Sequence, residues 1–185
     1  MDKSLKRRLE ARLGSRIQGP IRQQPDQTEI RIAPGDVVEV LRTLHDAVDL
    51  RFEILADMCG VDTGEHMQVV YHFWSETTRD WLRVIVDGLS REDPRCPSAT
   101  FIWTGAEWLE REAYDMFGIV FEGNRDLRRI YMPPDYTSFP LRKDFYLPDD
   151  SSRSTGEGVR HVERPFAPAV VADDPAAGVR RAPAS

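Results

Sequence analysis

Residues 108–148 read WLEREAYDMFGIVFEGNRDLRRIYMPPDYTSFPLRKDFYLP, and the interpretation of the whole chain turns on them. Acids and bases sit here among Trp, Phe, Tyr, Met and Ile, a mixture that an ordinary solvated face would not show. Such charges are expected close to buried surface, where a lone charge is costly and a paired one is tolerated. The stretch therefore reads as an interdigitated, partner-facing surface rather than a catalytic pocket.

Its first part predicts a helix over residues 105–117, with Ala106, Leu109, Ala113, Met116 and Phe117 as the apolar stripe. Gly118 suits the C′ position, and Ile119 is placed to contact Tyr114 as in a Schellman cap. Glu107, Arg111 and Asp115 are four apart, so Arg111 can pair with a carboxylate one turn away in either direction. Glu112 and Asp115 share a side with Trp108. Asp115 falls in the last turn, where the macrodipole disfavours an anion, so it calls for a cation. Arg128, Arg129, Arg142 and Lys143 are the nearest supply, and a helix-to-loop clamp is expected. Three prolines among residues 133–140 stiffen the loop that follows. Residues 141–145, Leu-Arg-Lys-Asp-Phe, then suit either an anchored surface loop or an arm laid across another subunit.

Outward from this stretch, Leu5, Leu9 and Leu13 predict a short amphipathic helix over 4–13 that stops at Gly14. Thr28 to Ile32 reads as a strand. Val37, Val40, Leu41, Leu44 and Val48 mark a helix face, with Asp36 as its N-cap. Strands are expected at 51–58, 67–74 and 81–86, the last two joined by a hairpin over 75–80. Both faces of 67–74 are bulky, so this strand should lie inside its sheet, and His72 reads as a sheet histidine rather than a ligand. The fold class is α+β, a two-layer sandwich with helices on a mostly antiparallel sheet and an extended C-terminal arm. The expected division is a globular domain over 1–122, a charged arm over 123–150 that packs on partner subunits, and a Pro/Ala-rich tail over 151–185. The tail is expected to be ordered only on a partner.

Composition excludes several roles. A net charge of −6 argues against nucleic acid as the main ligand. Without an apolar run near the roughly 20 residues a bilayer requires, the chain is expected in a bacterial-type cytoplasm, held at any membrane by something else. Cys59 and Cys96 are isolated, and His45, His66, His72 and His161 are scattered, so no metal centre or cluster is expected. Gly60, Gly64 and Gly105 form no GxGxxG or P-loop, so neither NADH nor ATP should bind. Glu110, Glu112 and Asp115 could in principle serve a carboxylate-based hydrolase. The surplus of Arg lowers carboxylate pKa values, however, which suits ion pairs better than a general acid.

Residues 110–119 (Glu-Arg-Glu-Ala-Tyr-Asp-Met-Phe-Gly-Ile), Asp126-Leu127-Arg128-Arg129-Ile130 and Pro140-Leu141-Arg142-Lys143-Asp144 resemble the signature of the C subunit of respiratory complex I. This is the NADH:quinone oxidoreductase chain whose mitochondrial counterpart is the 30-kDa subunit. The resemblance is specific over 108–147 and looser over Gly60-Val61-Asp62 and Tyr71-His72. Asn124, Arg125 and Phe139 depart from the family pattern, which has histidines at 124 and 139.

The resemblance implies a cofactor-free subunit of the peripheral arm, on the cytoplasmic face of the bacterial inner membrane. It would pack on the large quinone-site D subunit and near the B and I subunits, while FMN and iron–sulfur clusters reside in partner subunits. The residues it implies at the interface are Glu110, Arg111, Glu112, Asp115, Phe117, Gly118, Arg128, Arg129, Pro140, Leu141, Arg142, Lys143 and Asp144. The alternatives are the equivalent subunit of a ferredoxin-linked complex or membrane-bound hydrogenase, and, in another class, a stand-alone carboxylate enzyme.

Overall fold

A five-stranded sheet with helices on one face organises the chain, and the structure, a computed structural model, describes residues 3–146. Helix α1 (Lys3–Leu13) buries Leu5, Leu9 and Leu13 and runs into a 3-10 turn at Gly14–Arg16 rather than stopping at the glycine. Strands β1 (Arg22–Gln23) and β2 (Thr28–Ile32) form an antiparallel pair. Helix α2 (Val37–Asp46) follows, then β3 (Ile54–Asp62), β4 (Met67–Trp74) and β5 (Trp81–Leu89). The short β6 (Arg95–Pro97), α3 (Ala106–Phe117) and β7 (Val120–Glu122) complete the elements.

The strand order is β1-β2-β5-β4-β3, antiparallel throughout except for the parallel β2–β5 pair. The sheet is thus mostly antiparallel, as expected, and β4 is paired on both flanks. Alternation sorts the faces. Met67, Val69, Tyr71 and Phe73 of β4 join Leu82, Val84 and Val86 of β5 and Ile30 and Ile32 of β2 in one core with the leucines of α1 and the apolar face of α2. The opposite face carries Gln68, His72 and Trp74 beside Trp81, Arg83 and Asp87, and is half open. One covered face and one wet face is the usual arrangement of antiparallel sheets.

Four local expectations are corrected. The strand expected at 51–58 begins only at Ile54, because Arg51 adopts a left-handed turn (φ 45°) and Phe52 N–H donates to Leu44 C=O at 2.9 Å. It then continues through Gly60 to Asp62. Val48 is 80 % exposed, since α2 ends at Asp46 and Ala47 is extended. Asp36 makes no capping bond: it closes a 3-10 turn opened by Pro34, and its carboxylate lies 3.6 Å from Arg16. Strands β1, β6 and β7 went unread, being too short to show periodicity; β6 finds its parallel partner β7 across 25 residues.

Candidate functional site

Helix α3 ends as its sequence dictates. Gly118 takes the left-handed conformation (φ 75°) and its N–H donates to Tyr114 C=O at 2.8 Å. That is the simple αL motif rather than the Schellman pair anticipated. The remaining end carbonyls are taken up by Arg129, which donates to Asp115 C=O at 3.1 Å, and by residues 141 and 142. Leu141 N–H donates to Met116 C=O at 3.1 Å, and Arg142 Nε to Phe117 C=O at 2.6 Å. A buried guanidinium at a helix C-terminus complements both the open carbonyls and the dipole. Arg142 also donates to Arg91 C=O at 3.0 Å and lies 4.7 Å from the centre of the Phe139 ring. Burial pulls its pKa below the ordinary arginine value, with Arg91 adding to the effect.

Asp115 is fully buried. One of its oxygens accepts from Arg129 at 2.7 Å, and the other from the backbone N–H groups of Ile130, Tyr131 and Met132 at 3.0, 2.6 and 3.0 Å. Of the four candidate cations, Arg129 is the one that meets it. Burial pushes the Asp115 carboxyl up, but the Met132 and Tyr131 N–H groups, Arg129 and Ile130 together hold it below the usual range. Arg129 is stacked in turn against Phe139, 5.1 Å from its ring centre, and reaches Ser138 C=O at 3.2 Å.

Arg111 pairs with neither Glu107 nor Asp115, contrary to its spacing. Its Nε donates to Arg128 C=O at 3.2 Å, it lies 3.6 Å from Asp126, and it sits 4.5 Å from the centre of the Trp108 ring. Asp115 is already saturated by the loop, and Arg preceding Asp at i, i+4 is the weaker helical orientation. Glu110 is fully buried and meets only neutral donors: Ser98 Oγ at 2.8 Å, Ala99 N–H at 2.6 Å and Asn124 Nδ2 at 2.8 Å. Glu112 points the other way. It is exposed and makes no ion pair among the described residues.

A second clamp closes the far end. Asp62, at the end of β3, takes Arg91 through both oxygens at 3.1 and 2.8 Å and accepts the N–H groups of Lys143 and Gly64 at 2.9 and 2.8 Å. Burial raises its pKa, but Arg91 and the two N–H groups outweigh this and bring it down to about 2. Lys143 Nζ reaches Thr63 C=O at 2.9 Å, and Asp144 lies 3.1 Å from Arg91. Arg128 bonds the exposed side of Asp126 at 2.9 Å; Pro140 is half-buried and Leu141 exposed. Phe117 packs against Gly60, where an added Cβ would come within 2.7 Å of its ring.

The residues singled out from the sequence are thus gathered around α3, apart from the outward Glu112 and from Lys143 and Asp144, which join the clamp at Asp62 and Arg91. Asp62, Arg91, Ser98 and Asn124 were missed as participants. The Asp-Thr-Gly turn at 62–64 was a usable signal for Asp62. Nothing local points to its partners, 29 and 81 residues away.

The candidate carboxylates do not converge. Glu110 faces residues 98–99 and Asn124, Asp115 faces residues 129–132, and Glu112 faces solvent. Among the described residues, no group of three or more His, Cys, Asp or Glu could hold a metal ion, and no helix is long and apolar enough to cross a membrane.

Comparison with known proteins gives a consistent result. The family described as "Respiratory-chain NADH dehydrogenase, 30 Kd subunit" matches residues 30–151. The C subunit of NADH-quinone oxidoreductase from Roseiflexus sp. (strain RS-1) is 39 % identical over 164 residues, covering 86 % of this chain and 93 % of that one. Its counterpart from Burkholderia multivorans is 35 % identical and covers 96 % of each chain. Among solved structures, a trypsin-resistant fragment (1-134) of Nqo5 aligns with TM-score 0.57 and 32 % identity, over 67 % of this chain and 99 % of the fragment. A chain of an archaeal respiratory membrane complex, the membrane-bound sulfane sulfur reductase, aligns with TM-score 0.64 and 26 % identity, over 78 % of this chain and 84 % of its own.

Proposed function

The chain belongs to the 30-kDa subunit family of respiratory-chain NADH dehydrogenase, and on that footing we propose that it is a non-catalytic, organising subunit of complex I. It carries no cofactor of its own. FMN and iron–sulfur clusters belong to its partners, and the chain holds the large quinone-site D subunit and the neighbouring B and I subunits in register. It reaches the cytoplasmic face of the membrane only through them. Residues 123–150 act as the arm that these partners meet; residues 147–150 of it and the tail expected over 151–185 lie outside the described residues.

One observation carries the reading. The buried charges around α3 are spent inside the fold, while large apolar side chains beside them are left in solvent. Trp108 is 62 % exposed yet lies against the Arg111 guanidinium, and Tyr131 is 62 % exposed on the loop tied to Asp115. Exposed aromatics carried on a tethered backbone are what interface hot spots are made of, since less freedom is left to lose on binding. Glu112, Arg125 and Arg128 supply an exposed polar rim beside them.

The same features tell against a stand-alone carboxylate enzyme, because the buried acids are already saturated. The likeness to the archaeal sulfane sulfur reductase favours, as a second reading, the same role in a related membrane complex. The mass and cofactor content of the native assembly separate the two: a flavin-containing assembly that oxidises NADH supports the first, and one linked to another donor the second.

Glu112→Arg and Trp108→Ala in the full chain test the interface itself. Glu112→Arg should change folding stability by no more than about 0.5 kcal/mol, and Trp108→Ala, which also removes the contact with Arg111, by about 0.5–1 kcal/mol. Recovery of assembled complex on native gels should fall several-fold, with normal turnover per assembled complex. Full assembly with dead turnover would sink the organising role.

A further inference from the structure

Glu110, like Asp115, is fully buried, but of the two buried carboxylates of α3 it is the one with no cation on it. Its partner Asn124 is bonded at both ends. The amide nitrogen donates to Glu110 at 2.8 Å, and the amide oxygen accepts the Asp126 N–H at 2.9 Å. Asp126 in turn binds Arg128 at 2.9 Å and lies 3.6 Å from Arg111. A single amide side chain therefore joins a sealed carboxyl group to the loop that carries the exposed rim.

We propose that Asn124 is a positioning residue that transmits the charge state of Glu110 to the 126–128 loop. Ionised, Glu110 accepts from three donors, and the Asn124 amide is held with its nitrogen inward and its oxygen toward Asp126. A protonated Glu110 presents one hydroxyl as a donor and loses an acceptor site. With the proton on Oε2, the oxygen that Ser98 and Asn124 share, the amide nitrogen faces a hydroxyl in place of a carboxylate oxygen, and its grip on the Asp126 N–H loosens or rotates. Ser98 can follow the change, because its hydroxyl has a second partner in Thr100 Oγ1 at 2.6 Å.

The groups around Glu110 leave it as the one that switches. Tyr71 on β4 and Cys96 on β6 contact each other at 3.8 Å, and burial pushes the tyrosine well up and the cysteine up to about 12, so both stay neutral in acid. Glu107 on the same helix adds negative charge. Burial first, and Glu107 with it, raise the Glu110 pKa above the ordinary 4.5, against the opposing pull of Ala99, Asn124 and Ser98.

The coupling is a property of the chain by itself and stands apart from the function proposed above. The test is a pH titration by NMR of the labelled full-length chain in an Asp126→Asn background, which removes the local carboxylate from the reporter. The Glu110 carboxyl carbon, the Asn124 side-chain amide and the residue-126 backbone amide should share one midpoint, above 4.5. Adding Glu110→Gln should flatten the residue-126 response across pH 4–8. Adding Asn124→Ala, or Asn124→Ser if the alanine variant does not fold, should leave Glu110 titrating while residue 126 no longer follows. A residue-126 amide that stays flat while Glu110 titrates, or that still follows it without Asn124, overturns the proposal.

Discussion

Asp62 and Asp115 meet the same demand by similar means: each buried carboxylate is answered by one arginine and several backbone N–H groups. A buried charge is tolerated only when its lone pairs are met in this way. Both carboxyls are held below their ordinary range, so both contribute stability above the unfolded pKa and lose it as pH falls through the folded value. For Asp62 that window runs from 3.8 down to about 2. A shift of this size corresponds to roughly 2 kcal/mol. Asp62→Asn should therefore destabilise the chain most near neutrality, and the gap to wild type should narrow by about that amount between pH 5 and pH 2. Urea denaturation at a series of pH values measures it; a pH-independent gap would deny Asp62 its charge role. Glu110 has the opposite sign: its raised pKa means that stability falls as pH rises from 4.5 through the folded value.

At the scale of elements, α3 is positioned by two absent side chains. Gly60 lets Phe117 and Ile119 settle on β3, and Gly118 lets Phe139 and Arg142 close over the helix end. At Gly118 a Cβ would fall 2.6 Å from the Phe139 ring and 2.9 Å from Arg142, on a backbone with φ +75°. The left-handed conformation alone costs a residue with a side chain about 1–2 kcal/mol. Gly118→Ala should exceed that cost because the ring must also move. Gly118→Ala/Phe139→Ala should recover, by double-mutant cycle, the steric part but not the conformational part. Full additivity of the two substitutions would show that the ring does not press on this site.

The helix and its glycine stop were legible because a 3.6-residue stripe ending in glycine is a local signal. Helix α2 was legible up to Asp46 for the same reason, whereas Val48 continued the pattern on paper after the backbone had already turned at Ala47. Phe139 at a departure from the family pattern was not interpretable alone. Its ring proves to be the lid over Gly118 and the platform for both Arg129 and Arg142.

Across the whole molecule, residues 126–144 are fastened at both ends, to α3 through Asp115 and to β3 through Asp62. Releasing either end frees part of the same segment, so the two clamps should be energetically coupled. Asp115→Asn is expected to cost about 3–5 kcal/mol, as breaking a buried pair does. Asp62→Asn/Asp115→Asn should cost less than the sum of the single variants by about 0.5–3 kcal/mol. Equilibrium unfolding of the four chains reads this directly, and strict additivity would mean that the clamps act as independent structures.

The α+β class, the three helices, the interior position of β4 and the concentration of paired charge around α3 follow from the order of residues alone. Each rests on a period, a cap or a turn contained in a dozen neighbouring positions. Which charges meet was settled only by the folded chain. The spacing offered Arg111 to Asp115, but the loop delivered Arg129 and three N–H groups to that carboxylate and sent Arg111 to Asp126. Asp62 found Arg91 and the Lys143 N–H from 29 and 81 residues away. Helical spacing restricts which ion pairs are possible. The choice among them depends on which carboxylate is buried and which donors the long-range packing brings to it.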